Sequence, residues 1–334
     1  MEISATSCIV ITSIFEPTEA VKTFAALPGY RLLVVGDLKT PEGWACEGAE
    51  YLSPAAQQAT GYQLAGLLPY NHYARKMIGY LKAMEMGASV IIDTDDDNIP
   101  KHQWYFPPLE GSFDTLFENE GYVNIYQLFT DQFIWPRGLP LRLITKNFEL
   151  EKKLRKQYHS VGIWQGLADE DPDVDAIYRL TSNTPCYFRE RPPVVLGKGT
   201  ICPFNTQNTL IRRELFALLY LPTYVTFRFT DILRGLVAQP IMWLYGYKLG
   251  FTHATVVQKR NPHDYMKDFQ SEIPMYQSGE TITEMVTAAI KENETIETNL
   301  LLAYEALHAK NIVCEKEIVT LKAWLADIAT IKAR

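Results

Sequence analysis

Cysteine is sparse and poorly arranged for pairing. Cys8, Cys46, Cys186, Cys202 and Cys314 are odd in number, scattered, and contain no C-x-x-C pair. That pattern offers neither a zinc ligand set nor a disulfide framework, and it fits a reducing, cytoplasmic setting. An excess of positive charge is also lacking. With 32 Lys and Arg against 39 Asp and Glu, the net charge is −7, whereas a general nucleic-acid binder needs a basic face. Nucleic acid is therefore not expected among the partners. No uncharged apolar run reaches the roughly 18 residues that suggest a membrane span. The longest candidate, from Gly235 to Gly250, is interrupted by Gln239, Pro240 and Lys248, which leaves a peripheral membrane contact open. The opening stretch, MEISATSCIVITSIF, lacks the positive flank and long apolar run of a secretory signal. Internal repeats and low-complexity segments are missing too.

What is present reads as an ordinary globular chain, 47% hydrophobic over 334 residues, large enough to bury a core without staples. Cys8–Ile14 and Arg31–Val35 are β-branched apolar runs that predict buried strands. A short helix to Leu27 follows Glu16-Pro17-Thr18, and a second spans Tyr70–Met86 with Gly87 at its C-terminal cap. Ser89–Ile92 predicts a third strand. This β-α-β alternation implies a parallel sheet, whose ligands gather at the strands' carboxyl ends. Asp37 and an acidic run both fall there. Farther on, strands are expected at Tyr122–Tyr126, Val194–Leu196 and Ala254–Gln258. Helices are expected at Phe148–Tyr158, Glu214–Tyr220 and Asp231–Tyr245. From about Thr281, residues such as Met285, Ile290, Leu300, Tyr304, Leu321 and Trp324 recur at helical spacing. The expectation is a core over 1–275 and a helical extension over 276–334, serving packing or homo-oligomerisation.

The most informative stretch is Val90-Ile91-Ile92-Asp93-Thr94-Asp95-Asp96-Asp97-Asn98. Clustered carboxylates disfavour one another's ionisation. A fold tolerates them when they are solvated or when a cation is bound, and hard cations such as Mn²⁺ or Mg²⁺ take a few carboxylates plus substrate phosphates. Alternation in an extended segment would put Asp95 and Asp97 on one side. After the first strand, Thr12-Ser13-Ile14-Phe15-Glu16-Pro17 contains no glycine, which argues against the Gly-rich phosphate loop of a nucleotidyltransferase.

An apolar strand running into an aspartate triplet resembles the GT-A glycosyltransferase fold. The chain is similar, more closely, to the reversibly glycosylated polypeptides, which include UDP-arabinopyranose mutases, and to the STELLO-type glycosyltransferases. The matching segments are Val34-Val35-Gly36-Asp37, Ala74–Tyr80, Asp95-Asp96-Asp97-Asn98, Trp135-Pro136-Arg137-Gly138-Leu139-Pro140, Gly162-Ile163-Trp164, Asp171–Ala176, Gly199–Asn208 and Arg228–Gly235. The resemblance implies a GT-A-like α/β fold with a mixed, mainly parallel sheet. It also implies metal-dependent transfer of a sugar from a nucleotide-diphosphate donor, UDP-sugar foremost, to a hydroxyl of a glycan or other acceptor, in polysaccharide or glycan synthesis. It assigns Asp95, Asp97 and His263 to the metal. Asp37, Arg75, Lys76, Asp93, Asp96, Lys259 and Arg260 go to the donor. Asp231 becomes an acceptor-side base, and Arg137 binds diphosphate or sugar. In the plant proteins the corresponding arginine is glycosylated, so a nucleotide-sugar mutase is the alternative, with a non-catalytic scaffold as a further one. Thr230-Asp231 stands where those mutases carry a double aspartate, and Val257-Gln258 where they carry a histidine, which favours transfer. Bland readings run alongside: Asp231 as a helix cap, Arg75 and Lys76 as partners of nearby acids, and Asp171, Asp173 and Asp175 as a solvated loop rather than hydrogen-bond partners of sugar hydroxyls.

Overall fold

The computed structural model describes residues 7–259 and 264–334. The first third alternates as the sequence predicts: β1 (Ser7–Thr12), α1 (Glu19–Ala25), β2 (Tyr30–Val35), β3 (Ala49–Leu52), α2 (Pro54–Ala59), α3 (Gln63–Leu67), α4 (Lys76–Glu85) and β4 (Val90–Thr94). Then come β5 (Asn98–Pro100), β6 (Glu110–Leu116), β7 (Gly121–Tyr122), β8 (Leu154–Glu170), α5 (Ala176–Thr181), β9 (Val194–Leu196), β10 (Thr200–Ile201) and β11 (Asn208–Arg212). The chain continues through α6 (Thr230–Leu244), β12 (Lys248–Gln258), α7 (Tyr265–Ala289), α8 (Ile296–Ala309) and α9 (Glu315–Lys332).

Among the described residues the main sheet has ten strands, ordered β3-β2-β1-β4-β11-β8-β6-β9-β12-β5. The run β3-β2-β1-β4 is parallel, and β11 joins β4 and β8 antiparallel. The long β8 also pairs in parallel with β12. Alternating residues of β1 and β2 serve two cores: Ile9, Ile11, Leu32 and Val34 pack toward α1, while Cys8, Val10, Leu33 and Val35 face α4. Helix α4 packs against the sheet at Gly79, which has no side chain. A Cβ there would lie 2.6 Å from Val10 Cγ1 and 2.7 Å from Val35 Cγ2.

Several expectations are corrected. Phe148–Tyr158 is not a helix: one 3₁₀ turn at Leu150–Lys153 leads directly into β8. Its charged residues are exposed on an antiparallel ladder with β6, where Lys156 meets Asp114 at 3.1 Å. Because that ladder is solvated, the apolar alternation that signals a strand is missing. The strand expected at Tyr122–Tyr126 stops at Tyr122, since the Asn124 side chain accepts from Tyr126 N and starts a 3₁₀ turn. Glu214–Tyr220 is also 3₁₀ rather than α.

The C-terminal helices number three among the described residues and begin at Tyr265, so the 275/276 boundary falls inside α7. They are built into the core. Tyr122 Oη donates to Gly279 O at 2.8 Å, and Trp324 Nε1 to Ala217 O at 3.0 Å. Buried Glu317 accepts from Thr223 N and Tyr224 N. Asp327 accepts from Gln63 N and Leu64 N, capping α3. Among the described residues no helix is long and apolar enough to cross a membrane.

Candidate functional site

Strand β4 carries its acids from the core to the surface. Asp93, still in the strand, is fully buried. Its two oxygens accept from Lys76 Nζ and Arg234 Nη1, each at 2.9 Å. Lys76 gives its other two protons to Thr94 O at 2.7 Å and Asp95 Oδ1 at 2.9 Å. An ammonium has three donors, so Lys76 is spent on the strand end itself. Its expected role on the donor's diphosphate gives way to neutralising the acids, and Asp93 is an internal counter-ion rather than a wall of the site.

The chain then turns rather than staying extended, with Asn98 N donating to Asp95 O at 3.3 Å. This turn exposes Asp95, Asp96 and Asp97 together to an open cavity of about 400 Å³. Asp96 accepts from Ser13 Oγ, and its carbonyl takes Thr18 Oγ1 at 2.6 Å, which pins the turn to the end of β1. Asp97 receives the Gln258 amide at 3.2 Å, and Gln258 in turn accepts from Gln207. Burial and the carboxylates of Asp97 and Asp93 push the Asp95 carboxyl above its ordinary range, against the opposing pull of Lys76.

Across the cavity stands a second ionic cluster. Arg137 Nε and Nη2 donate to the two oxygens of Asp173, both at 2.8 Å. Its Nη1 and Nη2 donate to the two oxygens of Asp231, at 3.0 and 2.8 Å, and Nη1 also meets Arg228 O. All five guanidinium donors are thereby used, so gripping a phosphate would require exchanging one of these bonds. Burial would raise the Asp231 carboxyl, but Arg137 outweighs it and holds the group below the usual carboxylate range. Asp231 lies in the first turn of α6, after the capping residue Phe229, where a carboxylate suits the helix dipole.

A smaller cavity of about 260 Å³ adjoins the first, sharing Thr12, Ile14, Phe15, Tyr73, Asp96 and Phe227. Asp37 and Arg75 line it. Asp37 accepts from Leu38 N at 2.7 Å and His72 N at 3.2 Å. Arg75 is buried, bonded to Gln57 Oε1 at 2.7 Å and Leu68 O at 2.9 Å, and it stacks over Tyr70. Lys259 is exposed past β12, its N–H on Asp97 O at 3.1 Å. Arg260 and His263 lie outside the described residues.

Asp95 and Asp97 are hard oxygen donors on one cavity wall. Among the described residues no group of three or more His, Cys, Asp or Glu forms a metal cage. That donor set fits an ion of the Mg²⁺ or Mn²⁺ type, which accepts one or two carboxylates and completes its shell with phosphates and water. Several wall residues carried no individual expectation from the sequence: Asn205, Gln207, Phe227 and Arg228. Most lie in recognised segments, but nothing in one-dimensional spacing distinguishes Asp173 from its neighbours. Asp171 pairs with Arg179 and Asp175 caps α5.

A mixed α/β sheet with parallel strands β1, β2 and β4 ending at an aspartate turn, beneath two joined cavities, is a GT-A-like fold. In comparison with known proteins, residues 228–334 match the family model described as STELLO glycosyltransferases. The chain is 29% identical, over 97% of its length, to Probable glycosyltransferase STELLO1 of Arabidopsis thaliana, and equally to Probable glycosyltransferase STELLO2 of the same plant. It spans less than half of those relatives, 44% of each.

Proposed function

We propose that the protein is a metal-dependent glycosyltransferase that moves a sugar from a nucleotide-diphosphate sugar to an acceptor hydroxyl. The observation that carries this reading is the pair of joined cavities at the carboxyl ends of β1, β2 and β4. Together they have the size of a ligand site. The smaller, bounded by Asp37, His72 and Arg75, suits a nucleoside. The larger, bounded by the aspartate turn, suits a diphosphate and sugar. A divalent ion held by Asp95 and Asp97 would supply Lewis-acid stabilisation of the departing diphosphate.

Asp96, at the junction of the cavities, orients the ribose side. Asp231 and Asp173 each direct an oxygen at the same Arg137 nitrogen, and a carboxylate oxygen retains a second lone pair. An acceptor hydroxyl donating there would be oriented for attack and relieved of its proton. Arg137 itself acts as the bracket that holds both carboxylates in place, and it keeps Asp231 ionised. The donor that the family resemblance suggests is a UDP-sugar, and glycan synthesis is the setting this activity would serve. The experiment is a thermal-shift screen of nucleotide-sugars with Mn²⁺ and again with EDTA. A true donor near 100 times its dissociation constant adds about 2.7 kcal/mol of stability. Stabilisation that survives EDTA overturns the metal assignment, and a screen in which no nucleotide-sugar stabilises the protein overturns the donor.

A further inference from the structure

Two arginines line the larger cavity, Arg137 and Arg228, and they differ in what they have left to give. Arg137 is saturated. Arg228 is held from one side: its Nε donates to Glu272 Oε1 at 2.9 Å, and its Nη2 lies 2.9 Å from the same oxygen and donates to Val174 O at 3.1 Å. Its Nη2 is 3.8 Å from Asp173 Oδ1. Among the described residues, no protein oxygen accepts from its Nη1. The guanidinium is therefore anchored through Nε and Nη2, with Nη1 left over, and the residue lines the cavity.

The anchor is unusual. Glu272 belongs to α7 and is 0% exposed. Its second oxygen accepts from Ala176 N at 2.7 Å and Tyr276 Oη at 2.6 Å. Ser271 beside it accepts from Arg228 N at 3.1 Å through its hydroxyl, and from Thr226 Oγ1 at 2.5 Å through its carbonyl. Two consecutive residues of a C-terminal helix thus grip Thr226–Arg228 and the start of α5. Burying a carboxylate is costly, and a paired one is weak evidence for stability alone. Here its consequence is a fixed guanidinium on the wall that also carries Asp173 and Asp231.

We infer that Arg228 receives the diphosphate of the donor and that Glu272 is the positioning residue that aims it. This rests on the nucleotide-sugar reading above. The two N–H groups left on Nη1 of an always-charged guanidinium can be offered to phosphate oxygens, and the charge would offset that gathered as the sugar departs.

The test uses the full chain, with Mn²⁺, and calorimetric titration of UDP, GDP, uridine and guanosine. Arg228→Gln is expected to weaken the bound diphosphate about 10–100-fold, the value of losing a charged hydrogen-bonding partner, while leaving the nucleoside unchanged. Arg228→Lys recovers part of the loss, because the charge remains and the fork does not. Glu272→Gln weakens the diphosphate with Arg228 intact, and in turnover it raises the donor KM while the acceptor KM stays fixed. Should Arg228→Gln fail to fold, Arg228→Lys and Glu272→Gln carry the same reading. Wild-type diphosphate affinity in the folded variants overturns this inference alone. A wild-type protein that binds neither UDP nor GDP overturns the donor reading and this inference with it.

Discussion

A guanidinium carries five N–H donors, and Arg137 directs all of them to protein oxygens of Asp173, Asp231 and Arg228. Burial opposes its charge, yet the two carboxylates more than compensate and hold it firmly protonated. A cation that never yields its proton is a poor nucleophile, and Arg137 is only 4% exposed. We expect that incubation with a nucleotide-sugar and Mn²⁺, without acceptor, leaves the intact mass of the protein unchanged. A hexose- or pentose-sized adduct mapped to Arg137 would revive the mutase reading. Lys76 follows the same logic. It is fully buried against Asp93 and Asp95, so the residue that looked like a phosphate ligand instead makes the aspartate turn affordable to the fold.

At the scale of elements, the site depends on how closely α4 approaches the sheet. Lys76 stands at the first position of α4 and reaches the end of β4 because the helix lies directly on β1 and β2. Gly79 permits this contact, and its neighbours Val10 and Val35 are stiff, β-branched side chains that cannot swing aside. Gly79→Ala should therefore overpack the interface. We expect a loss of about 1–3 kcal/mol in urea unfolding, despite alanine's better helix propensity. An unchanged or raised midpoint would mean that α4 can lift without cost, and that its distance from the strands does not govern the ion pairs of Lys76.

Over the whole molecule, the C-terminal helices are joined to the core at many points. Asp327 caps α3, Glu317 closes the Thr223–Tyr224 turn, and Trp324 is buried against Ala217. Glu272 holds Arg228, a residue of the cavity wall. Although 275/276 is a reasonable boundary by composition, a fragment of residues 1–275 would lose α8, α9 and half of α7, exposing their apolar footing. We expect that fragment to be insoluble or to bind a hydrophobic dye, and the full chain to unfold in one transition by both circular dichroism and tryptophan fluorescence. Two separated transitions would instead support an independent extension.

The sequence by itself determined the alternating first third, the strand that ends in aspartates, and the helical C-terminus. These follow from local periodicity: β-branched runs, a glycine at a helix end, and apolar residues every third or fourth position. It also singled out the acidic run, because like charges crowded after a buried strand demand an explanation wherever they occur. Only the tertiary structure decided how those charges are shared. Asp93 and Asp95–Asp97 look alike in one dimension, yet one is sealed between Lys76 and Arg234 while the others turn outward. Likewise Arg137 and Arg228 are both arginines of recognised segments, and nothing local says that one is saturated and the other open. Hydrogen-bond capacity is consumed by whichever partners the fold brings near, and those partners, 36 to 141 positions away for Asp173 and Arg137 or Asp93 and Arg234, are chosen by packing rather than by sequence spacing.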